Sequence, residues 1–124
     1  MNPSDIHIAV RTQYLREQSK PAQRQFAFAY EITITNRGIT SAQLIARRWV
    51  IVDAHDKTQE VRGVGVVGEQ PRIEPGRSYR YTSGVVLSTE HGTMTGCYRM
   101  RDSTGAEFDA AIPLFVLAIP GTIH

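Results

Sequence analysis

The sequence is poor in cysteine, has no long apolar run and carries almost no excess of either charge. One Cys in 124 residues cannot form an internal disulfide, and it also rules out a structural zinc site built on cysteines. No apolar run approaches the roughly 20 residues of a membrane span, and the N-terminus lacks the basic and apolar regions of a secretory signal. These absences predict a soluble protein of the reducing cytoplasm, without membrane insertion.

The charge balance argues against a nucleic-acid partner. Fourteen Lys and Arg face twelve Asp and Glu, which leaves a formal net charge of +2. A dedicated nucleic-acid protein usually shows a dense basic stripe, and none is visible here. Twelve of the fourteen bases are Arg, whose planar fork suits phosphate and carboxylate groups.

Apolar side chains recur at every second position, which is typical of half-buried strands. A length of 124 residues and 41% hydrophobic residues support one core and predict a single domain over residues 1–124. The alternating sets are Ile6, Ile8, Val10, Thr12 and Tyr14; Phe26, Phe28, Tyr30, Ile32 and Ile34; Tyr79, Tyr81, Ser83, Val85 and Leu87; Met94, Gly96, Tyr98 and Met100; and Phe108, Ala110 and Ile112. No window shows convincing helical spacing.

The segment Leu44–Val52 differs, because it is apolar on both faces except for Arg47 and Arg48. This pattern predicts a central strand covered on both sides. Its Trp49, the only Trp, is expected to anchor the core.

Turn-forming residues separate the alternating runs at strand-like intervals. They stand at Asn36-Arg37-Gly38, His55-Asp56, Pro75-Gly76, His91-Gly92 and Asp102-Ser103-Thr104-Gly105. Seven or eight short antiparallel strands with this spacing predict an all-β sandwich or barrel.

The segment Gly63–Gly68 matches the pattern G-x-G-x-x-G. In a dinucleotide site these glycines open a helix whose N-terminus holds the pyrophosphate. Pro71, Pro75 and Gly76 leave no room for that helix, so we expect a Gly-rich strand that leads into a loop. No cofactor is predicted.

A second interpretation of the loop is an anion site made of backbone amides. Arg62, Arg72 and Arg77 lie within reach of such a site along the sequence. The shape of the loop decides between the two interpretations, and the sequence does not reveal it.

Metal-binding residues cluster only at Asp53-Ala54-His55-Asp56. Asp53 and His55 would share one face of a strand, and the oxygens of Asp53 and Asp56 suit a hard cation. A turn explains the same residues, because Asp favours turns by hydrogen bonding to the backbone. We prefer the turn and predict no metal site.

The residues of nucleophilic catalysis are also missing. Cys97 and His91 form the only Cys–His pair near in sequence, and six residues of strand would separate them by roughly 20 Å. No Gly-x-Ser-x-Gly elbow is present. We therefore predict that the protein is not an enzyme.

Several blocks, in order along nearly the whole chain, resemble the ApaG (CorD) family. They are residues 61–71 (VRGVGVVGEQP), 74–76 (EPG), 81–84 (YTSG), 92–100 (GTMTGCYRM) and 108–117 (FDAAIPLFVL). The resemblance implies a fibronectin type III-like, immunoglobulin-like β-sandwich. It also implies an association with cobalt and magnesium efflux or tolerance, and with genes for a diadenosine tetraphosphate hydrolase. Similar domains in eukaryotic F-box proteins look like protein-binding modules, and the family offers no catalytic residue to carry over.

Two functions remain open from the sequence. The first is a protein-interaction module whose surface includes the loop from Gly63 to Gly76. Its candidate residues are Arg62, Gly63, Gly65, Gly68, Glu69, Gln70, Arg72 and Arg77. The second is a binder of phosphate-rich small molecules, such as diadenosine polyphosphates or pyrophosphate, through the Gly-rich loop. Exposed sheet edges could also pair two copies of the chain.

Overall fold

The regular structure of the chain is almost entirely antiparallel β-strand in a computed structural model that describes residues 1–121. The strands are β1 Ile6–Tyr14, β2 Phe26–Asn36, β3 Ala42–Asp53, β4 Thr58–Val64, β5 Arg72–Ile73, β6 Ser78–Leu87, β7 His91–Asp102 and β8 Glu107–Ala118. The helical segments among these residues are three-residue 3₁₀ turns at Pro3–Asp5, Arg16–Gln18 and Pro21–Gln23. The predicted all-β class with seven or eight antiparallel strands is confirmed.

Two sheets pack into a sandwich. One has the order β1-β2-β6, and the other has the order β4-β3-β7-β8, with β5 paired to the start of β3. Every pairing is antiparallel. This arrangement confirms the immunoglobulin-like, fibronectin type III-like sandwich. It also places β4 and β6, one edge strand from each sheet, on the same side of the molecule.

The core lies between the sheets and is filled mainly by side chains of the alternating sets that the sequence predicts. Buried members from the first sheet are Ile6, Ile8, Phe26, Phe28, Tyr30, Ile32, Ile34, Tyr81 and Leu87, and those from the second include Leu44, Trp49, Ile51, Met94, Tyr98, Met100, Ile112 and Leu117. Burying such side chains contributes roughly 1.5–3 kcal/mol each, so the alternation fixes which face of each strand turns inward.

The prediction for Leu44–Val52 was right about position and wrong about burial. The strand β3 is central, between β4 and β7, but no layer formed by residues 1–121 covers its outer face, and Arg48 is exposed. A β-bulge between Leu44 and Ala46 shifts the register by one residue, so the inward positions change from even to odd. The apolar residues before the bulge and those after it each lie on the inner face only. Because the bulge changes the parity of the inner positions, the sequence reads as apolar on both faces.

One predicted turn was also misplaced. His91-Gly92 begins β7, and the chain reverses just before it, at residues 88–90.

A second bulge lies in β8 opposite Met94 and Gly96, near Pro113, which cannot donate to the ladder.

The first residue of the chain is fastened to the far end of β7. The ammonium group of Met1 lies 2.9 Å from a carboxylate oxygen of Asp102, and both groups are buried. The other carboxylate oxygen accepts hydrogen bonds from the hydroxyl and the backbone N–H of Thr104.

Candidate functional site

The Gly-rich segment is a short hairpin that follows β4. Val66 and Glu69 exchange two backbone hydrogen bonds, of 2.8 and 2.9 Å. The central residues Val67 and Gly68 have φ values of 49° and 78°, the signature of a type I′ turn. The chain then reaches the two-residue strand β5. A helix after Gly68, which a dinucleotide site requires, is absent from this described segment, as predicted.

Two of the three glycines have separate structural reasons. A side chain on Gly63 would approach the guanidinium carbon of Arg47 to 2.6 Å, so the glycine makes room for that group. Gly65 has a φ of 64°, and a side chain there would collide with the backbone oxygen of Glu69. We call residues 63–69 the Gly-rich hairpin. Its glycines hold the backbone and Arg47 in place.

The amides of the Gly-rich hairpin are largely used. The N–H of Gly65 donates to Ile45 at 2.8 Å, and those of Val66 and Glu69 donate across the turn. The predicted arginines are also not grouped. In the strand register, Arg62 lies opposite Arg48 of β3, whereas Arg72 lies opposite Gln43, roughly 15 Å away along that strand.

The tip of the Gly-rich hairpin exposes apolar side chains. Val64 is 74% exposed and Val67 is 64% exposed. A β-branched residue with a positive φ is a genuine outlier, and such strain costs about 1–3 kcal/mol. An apolar side chain is therefore held in solvent at an energetic cost.

The segment from residue 62 to residue 77, which we call the ledge, is fastened to both sheets. The hydroxyl of Tyr79 on β6 donates to the carboxylate of Glu69 at 2.8 Å. The side-chain amide of Gln70 donates to the backbone oxygen of Ile45, and Arg72 donates to Ser41. The ledge is thus a rigid shelf. Arg77 follows the turn at its end, where its N–H donates to Glu74.

A cavity of about 590 Å³ lies on the outer face of the second sheet, and we call it the outer basin. Its floor consists of small side chains, and its rim carries arginines from three strands. The lining residues are Ala46, Arg47, Arg48, Arg62, Gly63, Val64, Cys97, Arg99 and Asp109. Arg48 and Arg99 were not among the predicted site residues, although the Arg47-Arg48 pair in an apolar run was a visible signal.

Carboxylates hold these arginines in position. Glu60 accepts from Arg48 at 3.1 Å and from Arg62 at 2.6 Å, and both hydrogen bonds lower the pKa of Glu60. Arg99 bonds Asp109 at 2.9 Å and Glu107 at 3.2 Å, which raises the pKa of Arg99. The rim therefore keeps its arginines charged and oriented.

The residues considered as metal ligands, Asp53, His55 and Asp56, form a turn, as the sequence favours. The carboxylate of Asp53 accepts from the N–H groups of His55 and Lys57 at 2.8 and 3.0 Å, and Asp56 has a φ of 62°. Burial would raise the pKa of Asp53, but these backbone hydrogen bonds lower it. No group of three His, Cys, Asp or Glu side chains comes together within residues 1–121.

Cys97 and His91 both lie on β7, six positions apart. Cys97 is half-buried in the outer basin. The structure does not bring the two side chains into one site.

No helix in the described part of the chain is long and apolar enough to cross a membrane.

Comparisons with known proteins agree on one family. The family model described as the ApaG domain matches residues 16–102. Protein ApaG of Pseudomonas paraeruginosa is 58% identical over 96% of this chain and 94% of its own length, and that of Thiobacillus denitrificans is 54% identical over the same shares. The crystal structure of the putative ApaA protein from Bordetella pertussis has a TM-score of 0.92 at 47% identity, covering 95% of this chain and 96% of that one.

Proposed function

The chain belongs to the ApaG domain family, and on this basis we propose that it acts as a non-enzymatic binding module for a protein partner. Residues 1–124 would act as one domain, and the ledge would be its working surface. The association of such proteins with cobalt and magnesium tolerance would then pass through the partner rather than through a metal bound to this chain.

The observation that carries the proposal is the exposed, strained Val67. Turns of this type favour Asn, Asp or Gly at that position, so stability alone does not explain a valine there. An apolar side chain at the tip of a rigid turn is instead suited to insertion into a partner, because little entropy is lost when it is already ordered.

Polar groups around the tip would supply specificity. Arg62 and Arg72 are exposed on the ledge, and Glu69 is held there by Tyr79. Interface arginines commonly carry much of the binding energy. The partner surface that fits has an apolar pocket for Val67 with carboxylates beside it.

A quantitative capture experiment tests the ledge. Immobilised wild type would be compared with Val67→Thr and with the double variant Glu69→Ala/Arg72→Ala, using native lysate and mass spectrometry. We expect the specific partner to be recovered at least tenfold less with either variant, because both remove contacts without removing a core side chain.

The matched control is Val86→Thr, since Val86 is 61% exposed on β6. It should recover the partner as wild type does. The same set of captured proteins from all four chains would contradict the ledge as the binding surface.

A second candidate function is the binding of phosphate-rich small molecules, and the outer basin favours it. Three rim arginines converge on one concave surface, and arginine binds phosphate oxygens in a bidentate manner. In this second candidate function, Arg62 and Gly63 take part in binding because they line the outer basin. The backbone amides of the Gly-rich hairpin do not bind the phosphate.

Calorimetry with inorganic diphosphate and with diadenosine tetraphosphate tests this candidate at low salt. Binding should weaken as salt is added and should fall about tenfold in Arg48→Met. Arg80→Met on the other sheet is the control. No heat with either ligand would remove this candidate and leave the ledge proposal standing.

A further inference from the structure

A second recess lies on the inner side of β3, where the edge strands β4 and β6 leave the sandwich open. A cavity of about 330 Å³ lies there, and its lining includes Tyr30, Arg47, Trp49, Val67, Tyr81 and Ser83. A cavity of about 300 Å³ continues from it and shares Tyr30, Arg47, Trp49 and Ser83. We call these two spaces the inner pocket.

Arg47 is the charged group of the inner pocket. The bulge before Ala46 turns its side chain to the same face as Trp49 and Ile51. Its guanidinium donates to the backbone oxygens of Val64 and Gly65, at 3.3 and 2.9 Å, and uses one terminal nitrogen for both. No carboxylate within residues 1–121 forms an ion pair with it, in contrast to Arg48, Arg62 and Arg99.

The Gly-rich hairpin fixes this guanidinium. The group lies against Gly63, where any side chain would displace it, and it is held by the two residues that follow. The other nitrogens of Arg47 form no hydrogen bond to another described residue. The guanidinium of Arg47 thus places a positive charge at the inner pocket, and its other N–H groups are free to donate to a ligand.

Aromatic rings form the floor. Tyr30 and Trp49 meet edge to face, with ring centroids 5.3 Å apart. The hydroxyl of Tyr81 is occupied by that of Tyr98. The indole N–H of Trp49 is buried and has no acceptor among the described residues, which is costly for a buried donor.

We propose that the inner pocket binds a monoanionic carboxylate carried on a small apolar or aromatic group. The carboxylate pairs with Arg47, and the apolar part packs against Tyr30, Trp49 and Tyr81. A single arginine matches one negative charge, whereas a phosphate dianion would need further cations. Cavities of about 300 Å³ or more that combine aromatic side chains with an oriented charged group are typical of small-ligand sites. The pocket does not depend on the ledge proposal.

The single Trp makes the test direct, because the indole N–H of Trp49 gives one isolated NMR signal. ¹⁵N-labelled protein would be titrated with 3-phenylpropionate, its neutral amide, acetate and inorganic phosphate. We expect saturable shifts of the Trp49 indole and of the Val67, Gly68 and Ser83 amides with 3-phenylpropionate. The amide, acetate and phosphate should each bind at least tenfold more weakly.

Two variants separate the pocket from the outer face of the same strand. Arg47→Met should weaken binding of 3-phenylpropionate at least tenfold, while Arg48→Met should leave it within twofold. If Arg47→Met unfolds, the wild-type ligand series still decides the question, because it leaves every contact of the hairpin unchanged.

The source of the carboxylate is distinguished by two further probes, acetyl-Gly-Phe with a free C-terminus and its C-terminal amide. Tighter binding of the free peptide than of 3-phenylpropionate assigns the pocket to a protein chain end, and the reverse assigns it to a free metabolite. Equal binding of acid and amide, binding of phosphate as tight as that of the acid, or no shift of the indole signal would each overturn the proposal.

Discussion

At the scale of single residues, both proposed sites depend on side chains that stand where stability alone would not place them. Val67 adopts a left-handed backbone conformation that its branched side chain disfavours. Arg47 points between two sheets without a carboxylate partner among the described residues. Val67 belongs to the Gly-rich hairpin and Arg47 contacts it, so both proposed sites depend on this one short segment.

Replacing Val67 by Asn should stabilise the protein by about 1 kcal/mol, because Asn tolerates the left-handed conformation that the turn imposes. Urea denaturation of wild type and variant measures the change. Val64→Asn is the control, since Val64 is equally exposed but lies in a strand, and it should bring no gain. A destabilised Val67→Asn would show that the turn is not strained.

At the scale of elements, regular strands were predictable from the sequence and the bulged one was not. The alternation in β2 runs unbroken from Phe26 to Ile34, so its inner face agrees with the structure and its bounds agree within two residues. In β3 the bulge at residue 45 reverses the faces. Which residue bulges depends on the registers with β4 and β7, and a single strand's sequence does not contain them.

The candidate site was predictable only in part for the same reason. The ledge is contiguous in sequence, so its residues could be named from the sequence as a candidate surface. The outer basin and the inner pocket combine residues from strands that are distant along the chain. Arg48 meets Arg62 and Cys97 only through the registers of β3 with β4 and β7, and Arg47 meets Tyr30 only through the packing of the two sheets.

The contact between β3 and β4 can be tested with a double-mutant cycle on Arg47 and Gly63. Gly63→Ala should destabilise the wild type by about 1 kcal/mol, because the new methyl group displaces the guanidinium from its two carbonyls. In the Arg47→Met background the same change should cost far less, and the coupling energy is read from the denaturation midpoints. Equal costs in both backgrounds would mean that Gly63 is needed for another reason.

At the scale of the whole molecule, one buried ion pair joins the first residue to the seventh strand. The hydroxyl of Thr104 and the ammonium group of Met1 hold the pKa of Asp102 well below its usual range. A carboxyl group with a lowered pKa stabilises the folded state fully above its unfolded pKa of about 3.9, and this stabilisation is lost as the pH falls further.

Asp102→Asn should therefore lower the thermal midpoint at pH 7, because the ammonium group of Met1 loses its counter-charge. The gap between wild type and variant should stay constant down to about pH 5 and shrink below about pH 4. Calorimetric melting across this range measures it. Asp109→Asn, at an exposed pair with Arg99, should change the midpoint much less; an equal change in both variants would contradict the assignment.

The position of Cys97 on the floor of the outer basin has a practical consequence. Because it is the only thiol of the chain, a maleimide dye would attach to the unmutated protein at one place, among the rim arginines. The rate of labelling would show whether an added solute occupies the outer basin. Once the dye is attached, its emission would follow the binding of the solute in real time. A dye on Cys97 would thus report on the outer face of the second sheet, and the indole of Trp49 reports on the inner face of the same sheet.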